Sequence, residues 1–263
     1  MDLTAHEVQN TDALEQTISD AIEAEREARG HTSRVDYPHA YASEAHKCSR
    51  QIALRVAEVD RSNEIDTKGR FAAWQGTAIH RLIQGAMEFK YDNLEFEKPF
   101  ELPKHPVTGY ADIVGTNVVG DIKTMHGYAF DLAVHGKRGR PAEGPKMEHV
   151  IQAAIGAEAL GRASIRIIYW NKAAQSNSDL SAQWTVPYDM GLRQEVSNEL
   201  TRMGRIVEGV ASKQLPARVY NGEVITDPGG TKWPCTYCGW QDICIKLPDE
   251  QVDLGEVTNG SPR

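Results

Sequence analysis

The sequence lacks any long apolar stretch. No run of about 18 consecutive apolar residues occurs among its 263 residues, which excludes a transmembrane helix. We also expect no membrane partner. The opening residues, MDLTAHEVQNTDALEQ, have neither the basic start nor the apolar segment of a secretory signal. We therefore expect an intracellular, cytoplasmic protein.

Cysteine is scarce, with four residues in the chain. Because thiols stay reduced inside cells, four cysteines there indicate metal ligation rather than disulfides. The phosphate-binding motif G-x-x-x-x-G-K-[ST] is also absent. The chain therefore has no nucleotide-driven motor of that type.

Charge is unevenly distributed along the chain, whose net charge is −8. Residues 1–30 carry eight acidic and two basic side chains, and residues 247–263 carry four acidic and one basic. We expect an acidic helix or extension at 1–30, one folded domain at 31–246, and a disordered tail at 247–263. The near-neutral domain leaves room for a local basic groove, to which residues 137–140 contribute unless they form a solvated loop.

Hydrophobic periodicity predicts a mixed α/β order of elements. Helices are predicted at 11–29, 41–57, 70–89, 146–161 and 190–212, and strands at 94–102, 107–115, 117–125, 164–170 and 183–188. The helix at 70–89 is expected to bury the face formed by Phe71, Trp74, Ala78, Leu82 and Phe89. The expected fold class is α/β, with a central mixed sheet flanked by helices.

An acidic cluster centres on Asp121-Ile122-Lys123. Residues two apart on a strand point to the same side, so the Asp121 carboxylate and the Lys123 amine lie together. Asp112 lies at a facing position of the predicted hairpin. Carboxylates are the ligands that Mg²⁺ or Mn²⁺ prefers, and the Ile122 carbonyl is a further candidate ligand. Lys123 is positioned to orient a water or to stabilise developing charge, although D-x-K alone is also typical of a surface ion pair.

Three polar residues elsewhere are candidates for the same site. His80 lies four residues after Gly76 on one helical face, and its nitrogen would bias the metal site toward manganese. Gln152 begins a later helix and is a candidate to hydrogen-bond within the site. Glu97, on the first strand, is a weaker candidate carboxylate and stays outside the predicted ligand set.

The cysteines form a second candidate metal site. Cys235 and Cys238 make a C-x-x-C pair, Cys244 follows, and Cys48 would complete four thiolates. The spacing permits either zinc or a [4Fe–4S] cluster and does not decide between them. Either centre would join the N- and C-terminal parts of the chain.

These motifs, in this order, resemble the RecB-type branch of the PD-(D/E)XK nuclease superfamily. Within it, the chain is similar to the iron–sulfur subgroup that includes the AddB nuclease domain and CRISPR-associated spacer-adaptation nucleases. The matching residues are Cys48, Gly76 to His80, Gly109 to Asp112, Asp121 to Lys123, Gln152, Leu215-Pro216, and the three cysteines from Cys235 to Cys244.

The resemblance implies a restriction-endonuclease-like core whose ends are joined by a structural [4Fe–4S] cluster on the four cysteines. It implies that His80, both acids and Lys123 form a Mg²⁺- or Mn²⁺-dependent site for DNA cleavage. The expected activity is exonucleolytic, at single-stranded or frayed ends. The expected setting is a prokaryotic or phage-infected cell, with DNA and a recombination, repair or CRISPR-adaptation protein as partners.

One position departs from the family pattern Q-x-x-x-Y, because Gly156 stands where the tyrosine is usual. The departure motivates an alternative, in which the same fold acts as a DNA-end-binding or assembly subunit with little turnover. A third possibility is a zinc-stabilised protein-interaction domain.

Overall fold

The computed structural model describes residues 20, 37–63, 67–102, 104–136, 141–176, 179–218, 225–226, 232–233, 235 and 238–259. Apart from Asp20, the predicted helix at 11–29 lies outside these residues, as does the basic run at 137–140. Within the described ranges, no helix is both long and apolar enough to cross a membrane.

Seven α-helices occur in the described part of the chain: α1 (Ser49–Val56), α2 (Thr67–Lys90), α3 (Gly127–Val134), α4 (Met147–Leu160), α5 (Met190–Ala211), α6 (Gln241–Cys244) and α7 (Leu254–Asn259). The principal strands are β1 (Ala40–Tyr41), β2 (Glu95–Leu102), β3 (Val107–Val114), β4 (Val118–Met125), β5 (Ser164–Asn171) and β6 (Ser181–Pro187). Short strands follow at β7 (Gln214–Leu215), β8 (Ile225–Thr226), β9 (Lys232–Trp233) and β10 (Val252–Asp253). The predicted α/β class is confirmed.

The central sheet is mixed, and strand β3 lies at its branching point. It pairs antiparallel with β2 from Val107 to Val114, except at Asp112. Its other edge pairs in parallel with β1 at one end and antiparallel with β4 at the other. Beyond β4 the sheet continues with β5, parallel to β4, and β6, antiparallel to β5. The β3–β4 ladder covers only two residue pairs, Ile113↔Gly120 and Val114↔Val119, so the two strands separate directly beside Asp112 and Asp121.

Helix α4 lies against this sheet through an apolar face. Val150, Ile151, Ala153, Ala154 and Ile155 are all buried in the main core. It ends at Gly161, whose φ of 62° is the left-handed conformation that glycine adopts most readily at a helix end. This close packing fixes where the start of α4, and therefore Gln152, lies relative to β4.

The predicted apolar face of α2 is wrong. Phe71, Leu82 and Phe89 are 55%, 65% and 95% exposed, whereas Gln84 is buried. On a helix, residues 80 and 84 lie on one face and residue 82 lies roughly opposite. The side of α2 that meets the sheet is polar because it lines a cleft, so hydrophobic periodicity identified the outer face.

Two further predictions need correction. The expected helix at 41–57 is a 3₁₀ turn at Ala42–Glu44 followed by α1, for which Cys48 is the N-cap residue. The tail expected to be disordered at 247–263 is ordered over 247–259. There β10 pairs with β7, and Leu254 is buried. A few well-spaced apolar residues anchor a segment whose acidic composition had indicated disorder.

The N- and C-terminal parts are joined by protein groups. The Arg50 side chain is fully buried and donates hydrogen bonds to the carbonyls of Pro216 (2.9 Å), Pro248 (2.8 Å) and Glu250 (2.7 Å). A longer contact of 3.4 Å reaches the Asp249 carbonyl. We call this set the Arg50 clasp, and it ties α1 to the chain on both sides of the cysteine-rich segment.

Candidate active site

The separation of β3 from β4 is bridged by a side chain. The Asp112 carboxylate accepts a 2.6 Å hydrogen bond from the Ile122 backbone N–H through Oδ2. A carboxylate oxygen therefore takes a place at the strand edge that a backbone carbonyl would otherwise occupy. The arrangement holds Asp112 and Asp121 next to each other, as the predicted hairpin required.

Asp121 and Lys123 lie on the same side of β4, as the two-residue spacing predicted. The Lys123 Nζ donates to Asp121 Oδ1 at 2.9 Å and to Gln152 Oε1 at 3.0 Å. Gln152 therefore reaches the site from α4. The other carboxylate oxygen of Asp121, Oδ2, is buried and has no hydrogen-bond partner in the structure. Such an orphaned buried oxygen is costly unless a ligand or cation contacts it.

His80, Glu97 and Asp112 form the group best suited to hold a metal ion. One candidate ligand atom from each lies within 4.8 Å of the other two. The His80 Nδ1 is 3.7 Å from Asp112 Oδ2. Gln84, one turn after His80 on α2, donates to Glu97 Oε1 and to the Asp112 carbonyl. Sequence reasoning had left Glu97 outside the ligand set and had overlooked Gln84, for which the i, i+4 spacing from His80 was the available signal.

Glu97 lies at a local distortion of β2. Its φ is 48°, in the left-handed region that side-chain-bearing residues rarely adopt. The pairs Phe96↔Ile113 and Lys98↔Ala111 are formed on either side, but the pairing of Glu97 with Asp112 between them is missing. Backbone strain of this kind costs on the order of 1–3 kcal/mol and concentrates at functional sites. Here it occurs at the residue that adds a carboxylate to the group.

Burial perturbs the pKa of both aspartates, and the charge of Asp121 adds to the effect on Asp112. Burial, followed by the charge of Asp121, raises the pKa of Asp112 well above the ordinary carboxyl value. Burial also raises the pKa of Asp121, against the opposing effect of Lys123. For Lys123, burial alone would lower the pKa, but the charges of Asp121 and Asp112 outweigh it and raise the pKa overall. The lysine is therefore held as a cation, while the acids lack enough positive charge to ionise readily.

Two histidines beside the cleft are held neutral. Burial and then the Lys123 charge lower the pKa of His80, which keeps its ring available as a nitrogen ligand. Burial, Lys123 and Lys146 lower the pKa of His149 to about 3. The Tyr169 hydroxyl accepts a 2.8 Å hydrogen bond from the Lys146 backbone N–H and lies 2.8 Å from His149 Nδ1. This network anchors the start of α4, and with it Gln152, to the buried strand β5.

The acidic group opens into a cleft of about 510 Å³, which is the size of a small-ligand site. Its lining includes side chains from α2, β2, β3 and α4: His80, Arg81, Glu97, Tyr110, Asp112 and Gln152. The predicted catalytic residues therefore converge on a single cleft or its immediate border.

The departure at Gly156 has a structural counterpart. A Cβ atom at this position would lie 3.3 Å from Phe100 Cε1 and 3.4 Å from Val119 Cγ1. The Phe100 ring also lies over Gly109, where a Cβ would come within 2.6 Å of Cζ. A buried aromatic ring from β2 therefore packs where a larger side chain at position 156 would begin.

None of the four cysteines forms a disulfide in the structure, and each is partly buried. Burial raises the pKa of the Cys238 thiol, and the charges of Cys48, Cys244 and Cys235 raise it further. The three other sulfurs are therefore close enough to interact electrostatically with Cys238. The Cys238 backbone N–H also donates to the Cys235 carbonyl at 2.9 Å, which forms the turn of the C-x-x-C pair.

The overall arrangement is similar to those of solved proteins. The crystal structure of SSO0001 aligns with a TM-score of 0.51 and 14% identity, covering 89% of this chain and 97% of that one. The alkaline exonuclease LHK-Exo from Laribacter hongkongensis aligns with a TM-score of 0.50 and 14% identity, covering 66% of this chain and 91% of that one. The same exonuclease in complex with dAMP aligns with a TM-score of 0.50 and 15% identity.

The similarity is one of fold. No family model matches the sequence, and no curated protein matches it. The expected mixed α/β class, with a central mixed sheet flanked by helices, is confirmed, and the fold is similar to that of this exonuclease. The finer assignment to the iron–sulfur subgroup stays a prediction.

Proposed function

We propose that this protein is a divalent-metal-dependent deoxyribonuclease that acts as an exonuclease. The observation that carries the proposal is the convergence of His80, Glu97 and Asp112 beside the Asp121–Lys123–Gln152 chain in one cleft. The exonuclease-like fold supports the same reaction class.

The donor set fits Mg²⁺ or Mn²⁺, since it combines carboxylate oxygens with one neutral imidazole. His80, Glu97, Asp112 and Asp121 would hold the ion, with the Ile122 carbonyl as a further candidate. The ion, when bound, supplies Lewis acidity and makes a bound water a better nucleophile near neutral pH. The partnerless Asp121 Oδ2 and the raised aspartate pKa values fit a site for a cation, because a cation would contact that oxygen and favour the ionised carboxylates.

Lys123 has the role of stabilising negative charge as the phosphodiester bond breaks. Asp121 and Gln152 hold its Nζ between them, so the ammonium is already oriented before substrate arrives. Gln152 accepts from Lys123 and thereby couples the ammonium to the start of α4. His80, held neutral, serves as a ligand rather than as an acid.

The substrate we propose is DNA with a single-stranded or frayed end. One structural neighbour is a nuclease with bound dAMP, which is a deoxynucleoside monophosphate of the kind that DNA cleavage releases. A cleft of about 510 Å³ holds single nucleotides rather than a double helix. A recombination, repair or CRISPR-adaptation protein would present the DNA end.

Degradation of end-labelled linear DNA tests the proposal. Wild type, Lys123→Ala and the surface variant Lys104→Ala are compared on single- and double-stranded DNA with Mg²⁺, Mn²⁺ or EDTA. We expect metal-dependent release of nucleotides by wild type and Lys104→Ala, and a loss of about 100- to 1000-fold in Lys123→Ala. If metal-loaded wild type binds DNA ends and releases no nucleotides, the end-binding alternative replaces this proposal.

We further propose that Cys48, Cys235, Cys238 and Cys244 hold a structural [4Fe–4S] cluster. Four partly buried thiols, three of which interact electrostatically with Cys238, fit a four-thiolate centre. The cluster would add a second connection between the chain ends beside the Arg50 clasp.

Iron and sulfide analysis of anaerobically purified protein tests the cluster. We expect about four irons per chain and absorbance near 400 nm, with both lost in Cys48→Ser. Stoichiometric zinc in colourless protein would instead favour a zinc centre, and a metal-free wild type would exclude both.

A further inference from the structure

An exposed line of aromatic residues leads up to the cleft. Tyr37, His39 and Tyr41 are spaced two residues apart, and we call them the aromatic strip. Tyr37 is 43% and Tyr41 38% exposed. Neighbouring rings meet edge to face, with centroids 5.9 Å apart for Tyr37–His39 and 4.9 Å apart for His39–Tyr41. The strip is therefore an ordered surface feature rather than part of the core.

The Tyr41 ring is held in place from one side. The Arg55 guanidinium lies 4.4 Å from the ring centroid, an arrangement that attracts the cation to the ring face. Arg55 is itself fixed by two 2.7 Å hydrogen bonds to Glu44 and by a 2.7 Å hydrogen bond to the His39 carbonyl. The Tyr41 backbone N–H also donates to Glu44 Oε2 at 2.9 Å. A buried acid and an arginine thus orient an aromatic ring that remains accessible to a ligand.

The strip is continuous with the candidate active site. Tyr41 lines the same cleft as His80, Glu97 and Asp112. Tyr110 and Arg81 line it as well, so aromatic and cationic groups border the acidic cluster. Strand β1 fixes this relation, because Tyr41 pairs with Thr108 of β3, the strand that also carries Tyr110 and Asp112.

We propose that the aromatic strip stacks the unpaired bases of a single-stranded DNA end, with Tyr41 contacting the base nearest the cleft. The inference rests on the nuclease function proposed above and specifies how that site selects its substrate. Aromatic rings with nearby cations are how proteins bind single strands without sequence preference, since every base has a π face. Bases inside a duplex are already stacked and paired, so the strip discriminates for unpaired ends.

Binding measurements test the strip separately from cleavage. A fluorescent single-stranded oligonucleotide and a matched one with abasic terminal positions are titrated in EDTA with wild type, Tyr41→Ala and Tyr41→Phe. Tyr91→Ala, which removes a tyrosine 43% exposed at the end of α2, is the control. We expect Tyr41→Ala to weaken binding of the normal strand by about 5- to 150-fold. Tyr41→Phe and Tyr91→Ala should bind it like wild type.

The abasic strand provides the decisive comparison. Wild type should bind the abasic strand more weakly than the normal strand by a similar factor. On the abasic strand, Tyr41→Ala should reduce the affinity little further, because the same stacking contact is already missing. Equal binding of both strands by wild type would overturn the proposal, and this arm needs no variant to fold.

The two proposals fail in different ways. Base-dependent binding without metal-dependent cleavage would contradict the proposed nuclease function and support the strip as a single-strand binding surface. Cleavage by a protein that binds normal and abasic strands equally well would support the nuclease function and contradict base stacking by the aromatic strip.

Discussion

Two sets of charged side chains in this molecule differ in how completely the protein supplies their hydrogen-bond partners. The Arg50 guanidinium is fully buried and directs its hydrogen bonds to backbone carbonyls at 2.7–2.9 Å. Asp121 is also buried and Asp112 is partly buried, but the two carboxylates repel each other, and Asp121 Oδ2 has no partner. The arginine has protein acceptors for its hydrogen bonds, whereas one oxygen of Asp121 has no donor.

This difference distinguishes a charge that stabilises the fold from charges that serve to bind a ligand. A buried charge with a complete set of partners stabilises the fold, and removing it leaves those partners unsatisfied. A buried charge without enough partners lowers stability and is retained where a ligand completes it. The contrast predicts opposite signs for mutations in the two regions.

The largest effect is expected from Asp112→Asn. The amide can still accept from the Ile122 N–H, but it removes one of two repelling carboxylates and a metal ligand. We expect cleavage to fall at least about 100-fold while stability without metal rises by about 1 kcal/mol. Cleavage assays and urea unfolding in EDTA measure the two quantities.

The exposed variant Asp92→Asn serves as the control and should change neither quantity. A less stable Asp112→Asn protein, or one that cleaves normally, would contradict the predicted contrast between the aspartates and Arg50.

On the other side of the comparison, Arg50→Met should destabilise the protein by roughly 3 kcal/mol. The substitution keeps an apolar side chain but leaves the carbonyls of Pro216, Pro248 and Glu250 without their donor, at up to about 1–3 kcal/mol each before relaxation. Urea unfolding measures the change. The exposed Arg166→Met should stay within about 0.5 kcal/mol, and a similarly small effect for Arg50→Met would show that the clasp is dispensable.

A smaller effect is expected from pH. Because the folded-state pKa of Asp112 is raised, its protonated form favours the folded state. This contribution to stability is fully present below the ordinary carboxyl pKa. It is lost as pH rises through the raised value. In EDTA, wild type should therefore lose stability relative to Asp112→Asn as pH rises above about 4, the ordinary carboxyl pKa, and thermal unfolding follows this loss.

Saturating Mn²⁺ should reverse that loss in wild type, because the cation favours the ionised carboxylates. A stability gap that stays constant with pH in EDTA would mean that the acids are not strained in the folded protein.

The smallest effect is expected at Gly156, and it tests whether the departure there leaves the cleft intact. Gly156→Ala gains about 1 kcal/mol of helix propensity against a tight 3.3 Å contact with Phe100. We therefore expect net stability within about 1 kcal/mol of wild type and unchanged cleavage. Gly109→Ala, whose Cβ would lie 2.6 Å from the same ring, should cost about 1–3 kcal/mol. Equal effects in thermal unfolding would contradict the proposed packing of Phe100.

Much of the fold followed from local pattern. Strands β2 to β6 and helices α4 and α5 lie within a few residues of their predicted bounds, because each is specified by its own periodicity and turns. The shared side of Asp121 and Lys123 followed from strand geometry and is seen in their 2.9 Å contact. The prediction of the buried face of α2 was wrong because periodicity identifies an apolar stripe without showing whether another element covers it.

The sequence by itself determined which chemical groups are present and their spacing within single elements. It placed Asp112, Asp121 and Lys123 on adjacent strands and His80 and Gln152 on separate helices. Only the tertiary structure decided that Glu97 joins His80 and Asp112, since that depends on a left-handed residue within β2. It also decided that Arg50 ties α1 to carbonyls about 170–200 residues away. Such long-range contacts are set by how the elements pack, and no local sequence period encodes them.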